Sequence, residues 1–339
     1  MDYKSAGVDI KAGEQAVLSI KAKAKSTYNK NVLSELGSFG GLYELDRAAW
    51  QNPVLVSSTD GVGTKLRVAI MAGCYGSLGQ DLVNHCVNDI LAQGAIPQFF
   101  LDYIGCAKLN PEQISQIIDG MAKACRENEC ALIGGEMAEM PGIYQDGDFD
   151  LVGTIVGMVE KTQILPRNNL GAEDVLIAMP STGLHTNGYS LARKVVFEKL
   201  GLDTDSYVPE CQATVAELLL RIHRSYLNTF KPYLSHPGLH GLAHITGGGI
   251  EGNLKRIIPA GLVAVVQSSK IPRMDLFAWL REAGNLDEAT MRSAFNLGIG
   301  MIAVVNQELA SQICELEESI VLGRIEPSTN GISGVCFAD

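Results

Sequence analysis

The chain has 339 residues, enough for about two domains of roughly 150 residues each, and its hydrophobic content of 46% excludes a disordered or collagen-like protein. The formal net charge of −11 disfavours broad binding to nucleic acid or anionic membranes, because phosphates and acidic lipids would be repelled. There are 36 glycines, about half again the usual share, and such an excess often marks backbone that closely approaches a ligand.

The start of the sequence and the cysteines bear on where the protein works. The first residues, MDYKSAGVDIKAGEQ, lack the apolar segment of a secretory signal, and the charge-free stretches fall short of the roughly 20 apolar residues that a membrane span needs. Eight cysteines without a CxxC pair argue against a zinc module. We therefore expect a cytoplasmic protein with reduced cysteines, no membrane partner and no nucleic-acid partner.

The first motif in chain order follows a lysine-rich arm at Lys11–Lys30. A β-branched run at Val54–Val56 predicts a strand that ends in a loop at Ser57–Lys65. The glycines of this loop let the backbone approach a phosphate, its lysine balances phosphate charge, and its carboxylate suits Mg²⁺. The residues that we expect to bind phosphate or metal there are Asp60, Gly61, Gly63, Thr64 and Lys65.

The next predicted helix, Asp81–Gly94, has an unusual polar face. At 100° per residue, its five polar side chains fall within roughly 140° of one another. They are Asp81, Asn84, His85, Asn88 and Asp89. The face contains no Lys, Arg or Glu, and its side chains are oxygen and nitrogen donors for cations. Two interpretations stay open: an ordinary solvated face, or one wall of a metal–phosphate site.

The rest of this half alternates helix and strand. We predict a helix from Asn110, a good N-cap, to about Glu127, and strands at Pro97–Ile104, Ala131–Ile133 and Leu151–Val159. This order predicts a mixed α/β fold.

A second acidic segment, Gly134-Gly135-Glu136, is predicted to be a loop after one of these strands. Its glycines suit a phosphate and its carboxylate suits a metal. Together with the earlier acids it gives a carboxylate set whose members would repel one another without a cation. The set is Asp60, Asp89, Glu136 and Asp150.

A break in the pattern at Glu160–Gly171 divides the chain, and we place the domains at 1–168 and 169–339. The second half predicts a strand at Asp174–Met179, a helix at Tyr189–Leu200 and a longer helix at Ala213–Phe230.

Two loops of this half, Pro180–Ser190 and His244–Gly249, precede helical sequence, and exposed N–H groups at helix starts favour phosphate. His185 and His244 are acid–base or phosphate-contacting candidates, with a structural role as the alternative. Gly247, Gly248 and Gly249 are candidates for backbone contacts to phosphate. The run also matches GxGxxG, but no βαβ unit surrounds it, so we discount a dinucleotide site.

Nine ordered blocks resemble the phosphoribosylformylglycinamidine cyclo-ligase (aminoimidazole ribonucleotide synthetase) family nearly end to end. They are YKSAGVDIKAG (Tyr3–Gly13), SFGGLYEL (Ser38–Leu45), VSSTDGVGTKL (Val56–Leu66), CVNDILAQGA (Cys86–Ala95), FFLDY (Phe99–Tyr103), GGEMAEMPGIY (Gly134–Tyr144), GLHTNGYSLAR (Gly183–Arg193), HITGGG (His244–Gly249) and FNLGIGM (Phe295–Met301).

The resemblance implies a two-domain fold, α/β followed by α+β, in a homodimer whose N-terminal sheets pair into a barrel. It implies ATP-dependent closure of an imidazole ring, with ATP and Mg²⁺ bound. Carried over by motif, the metal–phosphate residues are Asp60, Asn88, Asp89 and Glu136. Lys21 resembles the lysine of the N-terminal arm that reaches towards ATP. The weaker assignments that the resemblance implies are Asp150, His185, Asn187 and His244. The catalytic candidates are Lys21, Asp89, His185 and His244, and Lys21 and Asn187 are also expected to contact ATP or phosphate.

The sequence departs from the family pattern at several positions. Ser58 stands where the family usually has Gly, and Met137 where it has Thr, so no hydroxyl contact is expected from position 137. After HITGGG, Gly252 and Lys255 interrupt the usual pattern, and the role of the acid there is in doubt.

Other classes of protein stay open. One is another ATP-dependent enzyme of the superfamily, such as a thiamine-monophosphate kinase or a selenophosphate synthetase. The latter would want a reactive Cys in the N-terminal arm, whereas the first Cys here is Cys74. The other is a catalytically silent nucleotide-binding protein, against which the intact acids and Lys65 argue.

Overall fold

The computed structural model describes residues 20–46, 48–316, 318–328 and 331–339. It divides into two compact units, the first comprising the described residues up to Ile90 together with Ala95–Lys161. The second comprises Leu91–Gly94 and the described residues from Thr162 onwards. The sequence block at Tyr3–Gly13 lies outside the described residues.

The N-terminal unit is a four-stranded sheet with helices. After a helical stretch at 20–25, its elements are β1 (Pro53–Gly61), α1 (Lys65–Ala72), α2 (Gly76–Leu91), β2 (Ile96–Cys106), α3 (Pro111–Glu127), β3 (Ala131–Glu139) and β4 (Phe149–Glu160). The strand order is β1-β4-β2-β3. Only the β2–β3 pair among these is parallel, as expected for two strands joined by the crossover helix α3.

The register of this sheet aligns acidic residues across it. Asp60 of β1 pairs with Gly153 of β4, which pairs with Asp102 of β2, which in turn pairs with Gly135 of β3. Two carboxylates thus lie in one row of the sheet, two strands apart.

For two segments of this unit, the prediction of a loop is wrong. Strand β1 continues through Ser57–Gly61, and β3 continues through Gly134–Glu139. Ser, Asp and Gly have low intrinsic strand propensity, but the ladder continues with Gly61 opposite Val152 and Glu136 opposite Tyr103. Pairing with neighbouring strands therefore overrides the local preference.

Helix α1 ends at Gly73, a left-handed cap with φ of 63°, and α2 begins shortly after it at Gly76. Helix α2 begins earlier than predicted because it packs closely on α3. A Cβ on Gly79 would lie 2.0 Å from the carbonyl oxygen of Ile117, so only glycine fits there. The start of α3 is confirmed: the Asn110 side chain accepts hydrogen bonds from the amides of Glu112 and Gln113.

The C-terminal unit is built on a six-stranded sheet. Its elements are β5 (Val175–Pro180), α4 (Tyr189–Arg193), which continues as a π-helical turn at Lys194–Lys199, β6 (Tyr207–Val208), β7 (Ala213–Thr214), α5 (Val215–Leu219), α6 (Leu227–Phe230), β8 (Leu239–His244), α7 (Gly249–Leu254), β9 (Leu262–Gln267), α8 (Asp275–Gly284), α9 (Glu288–Ala294), β10 (Ile299–Val305), α10 (Gln307–Ile313), β11 (Ile320–Pro327) and β12 (Gly334–Ala338).

The six-stranded sheet has the order β12-β9-β11-β5-β10-β8, and only β12 pairs in parallel among these strands. The central strands β5 and β10 are nearly continuous runs of buried apolar residues. Leu176, Ile302 and Ile325 contribute to a core that α7 covers through Ile250 and Leu254. This core fixes the ends of β5, β8 and β10.

The long helix predicted at Ala213–Phe230 is wrong. Helix α5 begins at a capping box between Thr214 and Glu217 and ends at Leu219. Helix α6 begins only at Leu227. Residues 221–226 lie between them without helical structure. In the described part of the chain, no helix is both long and apolar enough to cross a membrane.

Candidate functional site

Three charged side chains meet where β1 ends beside α2 in the N-terminal unit. His85 Nε2 lies 2.8 Å from Asp60 Oδ2 and 3.7 Å from Asp89 Oδ2. The hydroxyl of Ser58 donates to Asp89 Oδ2 at 3.0 Å. We refer to Asp60, His85 and Asp89 as the acidic cluster. The cluster joins two of the carboxylates predicted for metal binding.

The charges of the cluster stabilise one another. Burial alone would lower the pKa of His85, but hydrogen bonding to Asp60 and the charges of Asp89 and Asp60 outweigh burial and raise it. Partial burial would raise the pKa of Asp60, but the hydrogen bond and charge of His85 lower it. The raised pKa favours the protonated form of His85, and in that form the ring balances the charge of the two carboxylates.

The polar face of α2 is neither a solvated surface nor one continuous metal site. Asp81, Asn84, His85 and Asn88 are buried, and only Asp89 keeps appreciable exposure. Asn84 Oδ1 accepts a hydrogen bond of 2.9 Å from the side chain of Asn128, the residue that caps the end of α3. The polar side chains of α2 therefore have two kinds of partner. Asn84 contacts the end of α3 inside the core, whereas His85 and Asp89 contact residues of β1.

The prediction that Lys65 faces a phosphate is wrong. Its Nζ lies 2.8 Å from Asp81 Oδ2, and both side chains are 0% exposed. Burial lowers the pKa of Lys65, while Asp81 opposes that shift. The lysine neutralises a carboxylate inside the core and is not presented to a ligand.

Glu136 is not brought to the acidic cluster. It lies on β3, whereas Asp60 lies on β1, and the strand order places two strands between them. Three strand spacings of about 4.8 Å separate the two strands by about 14 Å. Carboxylates bind Mg²⁺ at about 2 Å, so Glu136 and Asp60 of one chain cannot share an ion. Within one chain, the four residues predicted for metal binding therefore do not surround one ion, and a metal contact from Glu136 stays a prediction.

Glu136 instead lines a cavity of about 420 Å³ in the N-terminal unit. Gly134, Gly135 and Asp102 also line it, together with the glycine-rich stretch 37–41. A Cβ on Gly135 would lie 2.3 Å from Asp102 Oδ1, so this glycine makes room for a carboxyl group. Burial raises the pKa of Asp102 to about 7.

Lys21 lies on the helical stretch 20–25, from which Ile20 and Ala24 line the same cavity. Its Nζ is 3.7 Å from Glu35, and its side chain is half exposed. Lys25 contacts the same carboxylate at 3.1 Å. The arm lysine is thus close to the cavity, and its contact with a nucleotide stays a prediction.

In the C-terminal unit, two predicted loops lie side by side. His185 is buried in a left-handed conformation with φ of 61°, and His244 is the buried last residue of β8. A Cβ on Gly247 would lie 3.4 Å from Asn187 Oδ1, which places the two loops in contact. The structure therefore brings the predicted residues of this half together.

Some of the backbone N–H groups that were predicted to contact phosphate already donate hydrogen bonds within the protein. The N–H of Gly248 donates to Ser293, and that of Gly249 donates to Thr246. A Cβ on Gly249 would lie 1.9 Å from the carbonyl oxygen of Arg292, so this glycine permits close packing against α9. In the first motif, the N–H of Gly61 likewise donates to Asp60 Oδ1 at 2.7 Å. The prediction that these three amides are free for phosphate is wrong.

Sequence reasoning missed several residues of these sites. Ser58 was noted only as a departure from a family pattern, yet it contacts Asp89. Asp102 gave a signal, because it is an acid within an apolar strand sequence. His223, whose Nε2 lies 3.1 Å from His244 Nε2, gave none, because it falls in the segment predicted as a continuous helix.

The chain matches known protein families over most of its length. Residues 45–159 match the model of the AIR synthase related protein N-terminal domain, and residues 171–335 match that of the C-terminal domain. A phosphoribosylformylglycinamidine cyclo-ligase of Trichlorobacter lovleyi is 48% identical over 89% of this chain and 87% of its own length. Another, of Geobacillus kaustophilus, is 43% identical over 99% of this chain and 97% of its own.

Solved structures with this fold are more distant in sequence. A thiamine-monophosphate kinase of Stenotrophomonas maltophilia has a TM-score of 0.69 at 18% identity, with 95% of each chain covered. A hydrogenase maturation protein HypE in complex with ATP has a TM-score of 0.61 at 18% identity, over 93% of this chain and 88% of its own. At these identities the likeness shows the fold alone.

Proposed function

The chain belongs to the phosphoribosylformylglycinamidine cyclo-ligase branch of the AIR synthase related family, and we propose that it closes the imidazole ring of aminoimidazole ribonucleotide. The substrates are formylglycinamidine ribonucleotide and ATP, and the other products are ADP and phosphate. The observation that carries this function is identity of 43–48% to curated cyclo-ligases over up to 99% of the chain.

The reaction needs positioning and charge neutralisation more than a protein nucleophile. The amide oxygen of the substrate attacks the γ-phosphorus of ATP, and ADP leaves. The amidine nitrogen then attacks the carbon that bears the phosphorylated oxygen. That oxygen leaves as inorganic phosphate, and loss of a proton from nitrogen completes the ring. Two polyanionic ligands must be held in line, and the charge on the transferred phosphoryl group must be balanced.

Asp60 and Asp89 are the side chains that we assign to Mg²⁺. They are oxygen ligands, which Mg²⁺ prefers, and their side chains are 46% and 27% exposed. In the free protein His85 supplies the positive charge between them. Mg²⁺, when bound, would neutralise phosphate charge at this position. Asn88 is on the same helix but fully buried, and its role as a ligand remains part of the proposal.

The cavity lined by Gly134, Gly135 and Glu136 is our proposed ATP site, with Lys21 at the neighbouring helical stretch. The hydrogenase maturation protein HypE, which has the same fold, has been solved in complex with ATP, and this supports a nucleotide here. Gly63 and Thr64, between the acidic cluster and α1, remain proposed phosphate contacts. In this proposal Glu136 belongs to the ATP site and does not bind the ion that Asp60 and Asp89 hold.

In the C-terminal unit we propose that His185 and His244 act on the substrate, with Asn187 as a polar contact and Gly247 beside it.

We also propose a homodimer in the cytoplasm. The eight free cysteines fit a reducing compartment.

The function is tested by incubating the full chain with formylglycinamidine ribonucleotide, ATP and Mg²⁺ and measuring aminoimidazole product, ADP and phosphate. We expect all three in equal amounts and none without the amidine substrate. Absence of substrate-dependent ADP would refute the cyclo-ligase function. Thiamine monophosphate is the control substrate, and ADP formed only with it would reassign the chain to kinase chemistry.

The metal assignment is tested with Asp60→Asn. We expect turnover to fall on the order of 100-fold or more, because one charged ligand of the phosphate-neutralising site is lost. Asp205→Asn removes the same charge from an exposed turn of the other unit and serves as the matched control. Near-normal turnover in Asp60→Asn, with a circular dichroism spectrum like that of the control, would remove Asp60 from the site.

A further inference from the structure

One carboxyl group in the wall of the proposed ATP cavity has no role so far. Asp102 of β2 lines this cavity of about 420 Å³, a volume within the usual range of small-molecule sites. Its side chain lies beside Gly135 of β3, where a Cβ would come within 2.3 Å of Asp102 Oδ1. Because position 135 has no side chain, the carboxyl group can take its place in the wall.

The lining of the cavity suits a base better than a phosphate tail. Most of its side chains are apolar, and they include Leu101, Ile133 and Met137. Among the described residues of the lining, the charged types are Asp102 and Glu136, with no Lys or Arg to balance them. Two acids would repel a triphosphate. An uncharged planar ring that is polar along one edge fits such a surface.

The carboxyl group of Asp102 keeps its hydrogen-bonding capacity for a ligand. Within the described part of the chain, it accepts a hydrogen bond from its own backbone and makes none with another side chain. Burial raises its pKa to about 7, against about 3.9 for an ordinary Asp. The titratable groups around it include Glu136 in the same cavity and the Cys125 thiol of α3. Neither carries a positive charge that would favour the ionised carboxylate.

A protonated carboxyl group presents a donor and an acceptor side by side. Adenine offers the complementary pair, because its amino group donates and the adjacent ring nitrogen, N1 or N7, accepts. Side-chain amides use the same pairing when Asn or Gln reads adenine in DNA. An ionised carboxylate accepts from the amino group but repels the lone pair of the ring nitrogen. Adenine therefore favours the protonated form of the acid.

We propose that Asp102 recognises the base of ATP, accepting from the amino group of adenine and donating its carboxyl proton to the adjacent ring nitrogen. This role rests on the proposed function, which places ATP in the cavity, and adds the residue that selects the base. Asp102 contacts neither the phosphates nor the reacting atoms in this assignment. It is therefore a specificity-determining residue and not a catalytic one.

Two variants separate the hydrogen bonds of Asp102 from its titration. Asp102→Asn keeps a donor and an acceptor but cannot ionise, whereas Asp102→Ala removes both hydrogen bonds. Asp146→Ala is the matched control, because Asp146 lies in an exposed turn of the same unit. The Kd for ATP is measured by equilibrium dialysis of the full chain with Mg²⁺ and without the amidine substrate, so the measurement needs no turnover.

The first expectation concerns affinity and its dependence on pH. At about pH 6, Asp102→Ala should raise the Kd for ATP tenfold or more, the size expected for two hydrogen bonds, and Asp102→Asn should stay within about threefold of the unchanged protein. From about pH 6 to about pH 8, the Kd of the unchanged protein should rise about tenfold relative to that of Asp102→Asn, because only the protonated fraction binds.

Titration of ATP itself and of Glu136 is common to both proteins, so the ratio of their Kd values isolates Asp102. A ratio that does not change with pH would overturn the proposal. This comparison stays decisive even where Asp102→Ala folds poorly, because Asn has nearly the same shape as Asp. Melting temperatures of the variants and of Asp146→Ala report the folding of each.

Base analogues identify the groups that Asp102 contacts. A purine nucleoside triphosphate without the amino group should bind the unchanged protein about tenfold more weakly than ATP, and bind Asp102→Ala as ATP does. The analogues 1-deaza-ATP and 7-deaza-ATP each lack one ring nitrogen, and the weaker binder of the two identifies the edge. Normal binding of both, or an equal loss for the amino-free analogue in Asp102→Ala, would refute the proposal.

The two proposals fail separately. A chain that closes no imidazole ring but shows this pattern of ATP binding would refute the proposed function and leave the role of Asp102 standing. A chain that closes the ring with the same KM for ATP in Asp102→Ala as in Asp146→Ala would refute the role of Asp102 alone.

Discussion

Two ion pairs involve residues of helix α2 that are one turn apart, and the two pairs differ in their exposure to solvent. Asp81 and Lys65 are both 0% exposed and are enclosed by the core. Asp60 and His85, joined at 2.8 Å, leave almost half of the Asp60 side chain exposed. The first pair is closed to any ligand, whereas the second keeps carboxylate oxygens within reach of a cation. Exposure, more than charge or spacing along the helix, separates the enclosed Asp81 from Asp60, the acid that we propose to bind Mg²⁺.

The buried pair should give the largest effect when it is broken. Lys65→Met leaves Asp81 without its cation in the core, and we expect a loss of about 3–5 kcal/mol in the free energy of unfolding. Chemical denaturation measures it. The double variant Lys65→Met/Asp81→Leu should recover most of that loss, because no buried charge remains. Specific activity per folded molecule should stay close to normal, and a large rise in KM for ATP in the double variant would return Lys65 to the phosphate site.

A third carboxylate extends the comparison, because burial is the main influence on the pKa of Asp102. Its pKa is raised to about 7, so the folded protein binds this proton more tightly than the unfolded chain. The stability from this group is complete below about pH 4 and is lost as pH rises towards about 7. Asp102→Asn should therefore flatten the fall in unfolding free energy over that range. An unchanged pH dependence would mean that Asp102 is ionised in the folded state.

The smallest expected effect concerns the hydrogen bond that orients Asp89. Ser58→Ala removes the 3.0 Å contact to Asp89, and we expect about a tenfold rise in the Mg²⁺ concentration needed for half-maximal turnover. Thr59→Ala is the matched control, because the next residue of the strand faces the other side of the sheet and pairs with Thr154. Equal Mg²⁺ dependence in both variants would show that Ser58 does not position the carboxylate.

Much of the fold class and the general place of the site could be predicted from local patterns. The cap at Asn110 was correct because capping depends on neighbouring residues only. The polar face of α2 was singled out as unusual with two interpretations open, and the structure excludes the solvated surface by burying Asp81, Asn84, His85 and Asn88. What failed was the assignment of partners: Lys65 and Glu136 were placed in one site, yet the first is buried and the second is three strands from Asp60.

Glycines show the same limit. Gly249 was predicted to approach a phosphate, but the close approach is to the carbonyl oxygen of Arg292. Gly135 leaves room for the Asp102 carboxyl group, within a strand that was predicted to be a loop. A glycine in the sequence indicates that something lies close to the backbone. Only the packing of other elements identifies whether that neighbour is protein or ligand.

By itself the sequence determined the family, the mixed α/β class and the types of side chain available for phosphate and metal chemistry, because these follow from ordered blocks and local propensities. The tertiary structure alone decided which acids are exposed, which charges pair and which histidines meet. Asp60 and Asp89, 29 positions apart, share His85, and His223 reaches His244 from a segment that was predicted to be helical. These contacts depend on strand order and helix packing, and pairwise distances of this kind are not encoded in any local stretch of residues.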